Sequence, residues 1–231
     1  IEMAKAGKKF LNAKKEFEDK YDLSLEEAIN LLDAHEVSSH YIIDEKGEVH
    51  RLVADNDIAY HAGFSYFKGV DGLNNNSIGI ELFSKNAYKQ GFSDRQYSSL
   101  IELTKYLTAK YNISLHDVVG HSDIAYYPEN CEPEFQQQIG FLNRKDDPSH
   151  LFNWSLMAKN GAALCPEVHD IDCELYKLTD RDQEIVKIKE NLHNFGYKIT
   201  SFSDQFDLEM VNLSRVFNRR FNQQGYLINP D

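Results

Sequence analysis

The sequence lacks several things that would have narrowed its function at once. No apolar run approaches the roughly 18 residues a membrane-spanning helix needs. There is no surplus of positive charge: 25 Lys and Arg stand against 37 Asp and Glu, a formal charge of -12. Phosphate-backbone binding needs a basic surface, so a nucleic-acid partner is excluded as the main reading, and the acidity reads as a solvated, solubilising surface. Cysteine is sparse. Cys131, Cys165 and Cys173 are odd in number and lack metal-type spacing, and Cys165 with Cys173 is the one pair considered for a structural disulfide. No signal-peptide pattern is visible, but the chain opens at Ile1 rather than Met, so this absence carries no weight.

What is present is an ordinary globular composition, 42% apolar and 27% charged over 231 residues. That length suits one large domain or two unequal ones. Residues 3–20, rich in Lys, Ala and Glu, read as helix. Ser24-Leu-Glu-Glu27 has the form of a capping box opening a helix to about Asp33. Tyr41–Ile43 and Val49–Val53 flank a turn-like Asp44–Glu48 and predict a β-hairpin. Ser77–Phe83 alternates as a strand does. Ser93-Asp-Arg-Gln96 is a second capping box, before a helix bearing Tyr97, Leu100, Leu103 and Leu107 on one face. Val118-Val119 reads as a short buried strand, and 122–143 as a long loop. Alternating strands and helices predict a mixed α/β domain to about residue 166. After a linker over 167–180, Ile185, Ile188, Leu192 and Phe195 form a helical stripe ended by Gly196, and Asp207 N-caps a helix bearing Val211, Phe217 and Phe221. This second unit is small and helical.

Three places could carry chemistry. Gly120-His-Ser-Asp-Ile-Ala125 puts a His just past a buried segment. Arg144-Lys-Asp-Asp-Pro148 puts paired carboxylates beside a Lys. Glu81 is a carboxylate on an otherwise apolar strand, costly to bury unless it is paired or working. Each has a bland alternative: a structural His, a solvated turn, and an edge residue facing water.

Taken in order, Ser38-Ser-His-Tyr-Ile-Ile43, His61-Ala-Gly63, Asn74 with Ser77-Ile-Gly-Ile-Glu-Leu82, Gly120-His-Ser-Asp-Ile-Ala125 and Lys145-Asp-Asp-Pro148 resemble the motif series of the AmpD-like amidases. These are the type-2 amidase and peptidoglycan-recognition-protein superfamily. The likeness runs over residues 24–166, and Phe152-Asn-Trp154 through Pro166 resembles the end of that domain. The resemblance implies a central mixed β-sheet flanked by helices, forming a zinc amidase domain over 1–166. It also implies, from Ile188, Asn191-Leu192, Phe195-Gly-Tyr197, Phe206-Asp207 and Val216–Phe221, a three-helix peptidoglycan-binding-like domain over 181–231. A generic small helical bundle is the alternative there.

By position, the resemblance makes His121 and Asp147 ligands of one catalytic Zn2+, Glu81 the acid–base carboxylate and Lys145 the cation facing a developing oxyanion. It places His61 and Asn74 along the substrate groove, and Arg144 is a candidate for substrate recognition. Ser39 stands where the phage-type branch has a catalytic Tyr, which fits the glutamate-using branch. The implied activity is hydrolysis of the amide between N-acetylmuramic acid, or its anhydro form, and L-alanine of peptidoglycan stem peptides. Peptidoglycan or muropeptide fragments are the implied partners, in the periplasm or cell envelope, with the cytoplasm as alternative. The rival is a recognition protein that binds peptidoglycan without cutting it.

Two departures stand out. The family's first zinc-ligating His lies on a strand that 1–20 does not match; it is expected upstream of Ile1, with His40 as a possible substitute. Residues 126–143 look like an insertion forming one wall of the groove.

Overall fold

The structure is a computed structural model, and it describes residues 24–85, 87, 89–126, 145–166 and 176–223. The expected helix over 3–20, the 126–143 insertion, Arg144 and Cys173 lie outside these residues, apart from Tyr126.

Helix α1, Leu25–Ala34, starts at the predicted box: Ser24 accepts from the Glu27 N–H while the Glu27 carboxylate accepts from the Ser24 N–H. Strands β1 (Tyr41–Ile43) and β2 (Val49–Arg51) form the predicted hairpin, pairing antiparallel with Ile42 opposite His50. A small second hairpin follows, β3 (Tyr66–Phe67) and β4 (Val70–Asp71). Strand β5, Ile80–Leu82, lies parallel to β1 with Glu81 opposite Ile42. The sheet order is β2-β1-β5, so the sheet is mixed, as expected.

Helix α2, Asp94–Tyr111, packs on this sheet. Its cap does more than start the helix. The Gln96 side chain accepts from the Ser93 N–H and donates to the Phe83 carbonyl just past β5, tying helix to sheet. Tyr97 and Leu100 from α2 join Ile43, Phe152, Trp154 and Met157 in the main core. The last two come from α4, Trp154–Lys159, which follows the short α3, His121–Ile124.

Val118-Val119 is not a strand. It follows a single 3-10 turn over Leu115–Asp117 and pairs with no neighbour strand. The Val118 carbonyl is met by the Arg220 guanidinium at 2.8 Å, so a side chain replaces the ladder partner that a strand would need.

Helices α5 (Gln183–Phe195) and α6 (Leu208–Phe221) form the C-terminal unit around Leu192, Tyr197, Ile199, Met210, Leu213 and Val216. Asp182 and Asp207 cap their N-termini, and Gly196 ends α5 at φ +131°. Val211 and Phe217 are only partly buried, and Met210, Leu213 and Val216 take the innermost places. Two helices of this unit lie among the described residues. Cys165 is a free thiol. No described helix is long and apolar enough to cross a membrane.

Candidate active site

Glu81 sits at the middle of β5, where the backbone alternation turns its side chain away from Ile80 and Leu82, which pack against the main core. Its carboxyl is raised above the ordinary glutamate range. Burial is the largest cause, and the neighbouring Asp147 charge adds to it, while His121 and Lys145 pull the other way. One strand residue thus senses the three groups that the sequence analysis singled out from two other segments.

His121 is the first residue of α3. Its Nδ1 lies 2.9 Å from Asp147 Oδ2, and its Nε2 lies 3.1 Å from the Ala62 carbonyl. Both partners are acceptors. One imidazole N–H serves only one of them, and a cation between Nδ1 and the carboxylate would leave the N–H on Nε2 for the Ala62 carbonyl. Asp147 is held below the ordinary carboxylate range: burial alone would raise it, and the His121 charge and hydrogen bond, with Lys145, outweigh that. Imidazole nitrogen plus carboxylate oxygen is a zinc-type donor set, and a ring whose other nitrogen is fixed by a carbonyl is the usual support for a metal-ligating His. The pair therefore fits the ion. Among the described residues, no third His, Cys, Asp or Glu completes a set with it; the one such group is Asp44, Glu48 and His50 on the β1–β2 hairpin, which includes neither residue of the pair.

Two close approaches hold the segments together. At Gly120, a Cβ would lie 2.7 Å from Pro148 Cδ, so only glycine lets the His121 and Asp147 segments meet. The Ser122 N–H donates to the Asp147 carbonyl at 2.8 Å. At Gly79, a Cβ would fall 2.4 Å from His61 Cγ, so the ring packs directly against that backbone.

His40 does not serve as a substitute ligand. It is 1% exposed. Its Nδ1 accepts from the Gly79 N–H, and its Nε2–H donates to the Asp57 carbonyl, both at 3.1 Å. Neither nitrogen is left for a metal. Ser39 is also buried, its hydroxyl donating to the Tyr41 carbonyl.

His61 packs edge-on against His40, with ring centroids 5.5 Å apart. Burial, then the nearby His40 and His121, lower it to about 4, so the ring is neutral at ordinary pH. Its Nε2 is buried without a hydrogen-bond partner. Asn74 Oδ1 accepts from the backbone N–H groups of His61 and Ala62, at 3.0 and 2.8 Å. Asn74 thus fixes the loop whose Ala62 carbonyl orients His121.

The structure brings His121, Asp147, Glu81 and Lys145 together, with His61 beside them and Asn74 one step behind. The Ala62 carbonyl is a functional group that no side-chain pattern reveals. Asp123 was visible within the Gly120–Ala125 motif, but its role depends on distant partners.

The family described as N-acetylmuramoyl-L-alanine amidase, Amidase_2, matches residues 4–149. The chain is 31% identical over 179 residues to the N-acetylmuramoyl-L-alanine amidase AmiD of Escherichia coli (strain K12), covering 71% of this chain and 59% of that protein. It is 38% identical over 119 residues to the 1,6-anhydro-N-acetylmuramyl-L-alanine amidase AmpD of Haemophilus influenzae, covering 51% of this chain and 55% of the relative. It thus spans somewhat more than half the length of these two curated proteins. Among solved structures, the complex of E. coli AmiD with anhydro-N-acetylmuramic acid-L-Ala-D-gamma-Glu-L-Lys superposes with a TM-score of 0.66 at 26% identity, covering 89% of this chain and 78% of that one.

Proposed function

The chain belongs to the N-acetylmuramoyl-L-alanine amidase family, and on that premise we propose that it hydrolyses the amide between N-acetylmuramic acid, or its anhydro form, and L-alanine of peptidoglycan stem peptides. The observation that carries this reading is the convergence of Glu81, Lys145 and the His121–Asp147 pair on one spot.

His121 Nδ1 and Asp147 Oδ2 are the atoms that would hold a zinc ion. Bound there, zinc supplies a Lewis acid that polarises the scissile carbonyl and lowers the pKa of water. Glu81 takes the proton from the attacking water and returns it to the departing L-alanine nitrogen. Its raised affinity for a proton suits a group that must hold one between the two steps. Lys145 offers positive charge to the oxygen of the tetrahedral intermediate. His61, neutral and with a free Nε2 lone pair, is an acceptor for a substrate N–H or O–H. Arg144, outside the described residues, is assigned to the acidic stem peptide. We place this activity in the periplasm or cell envelope, with the cytoplasm as the alternative.

The test is Glu81→Ala. Turnover of a disaccharide-peptide falls by about 10²–10⁴-fold, the usual worth of a general acid–base group, while bound zinc stays at the wild-type level. Turnover near wild type removes Glu81 from the mechanism.

A further inference from the structure

The C-terminal helical unit does not hang from the site domain on a tether. It reaches both segments that carry the pair His121 and Asp147. Asp123 lies two residues past His121 and is 1% exposed. Its Oδ2 accepts the Gly120 N–H at 2.7 Å, closing the first turn of α3. Two further donors come from the helical unit: the Tyr197 hydroxyl at 2.9 Å and Arg220 Nη1 at 2.6 Å. Arg220 itself is 2% exposed, with its guanidinium 4.5 Å from the Trp154 ring centre and Nη2 on the carbonyls of Val118 and Leu164. A carboxylate this deeply buried requires its cation, so the conformation of the His121 turn depends on a residue about a hundred positions away.

The neighbouring residue grips the other segment. Arg219 donates to Asp146 Oδ1 at 3.3 Å and to the Lys145 carbonyl at 3.4 Å. Gln223 adds hydrogen bonds to the carbonyls of His150 and Phe152. The unit is further seated by Phe195, which packs with Ala62, Phe67, Leu73 and Ile124.

We propose that Arg219 and Arg220 are positioning residues of the active site, Arg220 setting the His121 turn through Asp123 and Arg219 setting the Asp147 segment through Asp146 and the Lys145 backbone. The helical unit is then part of the catalytic apparatus, whatever polymer it also binds. The catalytic wording rests on the amidase reading above; the clamp itself does not.

The experiment compares the full natural protein with Arg219→Ala, Arg219→Lys and Arg220→Met. It reads Zn2+ affinity by chelator competition, kcat and KM on a disaccharide-peptide, the melting temperature, and amide exchange over 118–125 and 145–152. Arg219→Ala is expected to lower kcat and Zn2+ affinity by about 10–100-fold, the usual effect of losing a group that orients a metal ligand. KM and melting temperature stay near wild type, exchange over 145–152 rises, and Arg219→Lys recovers part of the loss. Arg220→Met raises exchange over 118–125 and lowers kcat and Zn2+ affinity likewise, but with a melting temperature below wild type, because it strands the buried Asp123 carboxylate; should it fail to fold, the Arg219 pair decides. Wild-type kcat, Zn2+ affinity and exchange in a folded Arg219→Ala chain overturn the proposal. If the natural protein neither binds Zn2+ nor cleaves, the amidase reading fails, and the exchange data alone uphold or overturn the clamp.

Discussion

Glu81 and His40 show what a single residue discloses. Glu81 was legible as a candidate because a carboxylate on an apolar strand must be paired or working. Its neighbours Asp147, His121 and Lys145 come from segments about 40 to 66 residues away, a proximity that only folding creates. His40 is, in sequence, only a possible substitute for the first ligand. Its exclusion rests on two backbone partners, Gly79 and Asp57, that leave no trace in the pattern of side chains. Asp55 carries no signal in sequence, although it gathers the Tyr41 and Tyr111 hydroxyls, Lys110 and Arg51 around one buried carboxylate. The Tyr41 hydrogen bond, with Lys110 next, holds Asp55 well below the unfolded value of 3.8. Stability from this hub is complete above that value and is lost as pH falls through the lower folded one. Tyr41 is pushed up to about 12, by burial first and Asp55 second. Its contribution is complete below the unfolded value of 10.0 and is lost as pH rises through the folded one. Tyr41→Phe should cost about 1 kcal/mol at neutral pH, the net worth of one hydrogen bond. It should also flatten the alkaline decline, both read from urea melts across pH. An alkaline decline identical to wild type would contradict this account of the hub.

At the scale of elements, local signals were reliable where the determining atoms are local. Both capping boxes formed as written, because each needs only residues three apart. Ser93→Ala should therefore destabilise the protein by about 1 kcal/mol. Gln96→Leu should cost more, since Gln96 also serves the Phe83 carbonyl. Chemical denaturation of the two variants checks that order. The strand expected at Val118-Val119 failed for the complementary reason. Two β-branched residues fit a strand equally well, but their backbone partner is the side chain of Arg220, from the far end of the chain. Gly79→Ala tests the packing around the site. The added methyl meets the His61 ring, so His61 must move, and activity should fall more than stability. A variant with wild-type kcat/KM would show that the position of His61 is immaterial.

On the scale of the molecule, the mixed sheet flanked by helices was readable from the ordered motifs, and its likeness to the AmiD complex agrees with it. The way the two units join was not readable. A linker expected over 167–180 says nothing of contact between the units, whereas the Arg220–Asp123 pair, Tyr197 and Phe195 bury the C-terminal unit against the site. Breaking a buried pair by removing one partner costs about 3–5 kcal/mol, so the two parts should unfold together. A single calorimetric transition is expected, and two well-separated ones would contradict the shared interface. In sequence Arg219 and Arg220 mark only a helical module; their partners, Asp146 and Asp123, are set by the fold.

Cleavage is tested by mass spectrometry of the products formed from a purified disaccharide-peptide by the full natural protein, with and without a zinc chelator. Free stem peptide beginning at L-alanine is expected, its release abolished by chelator and restored by added zinc. Clear binding of the muropeptide with no release under any metal condition would contradict it and leave a recognition protein with an amidase fold.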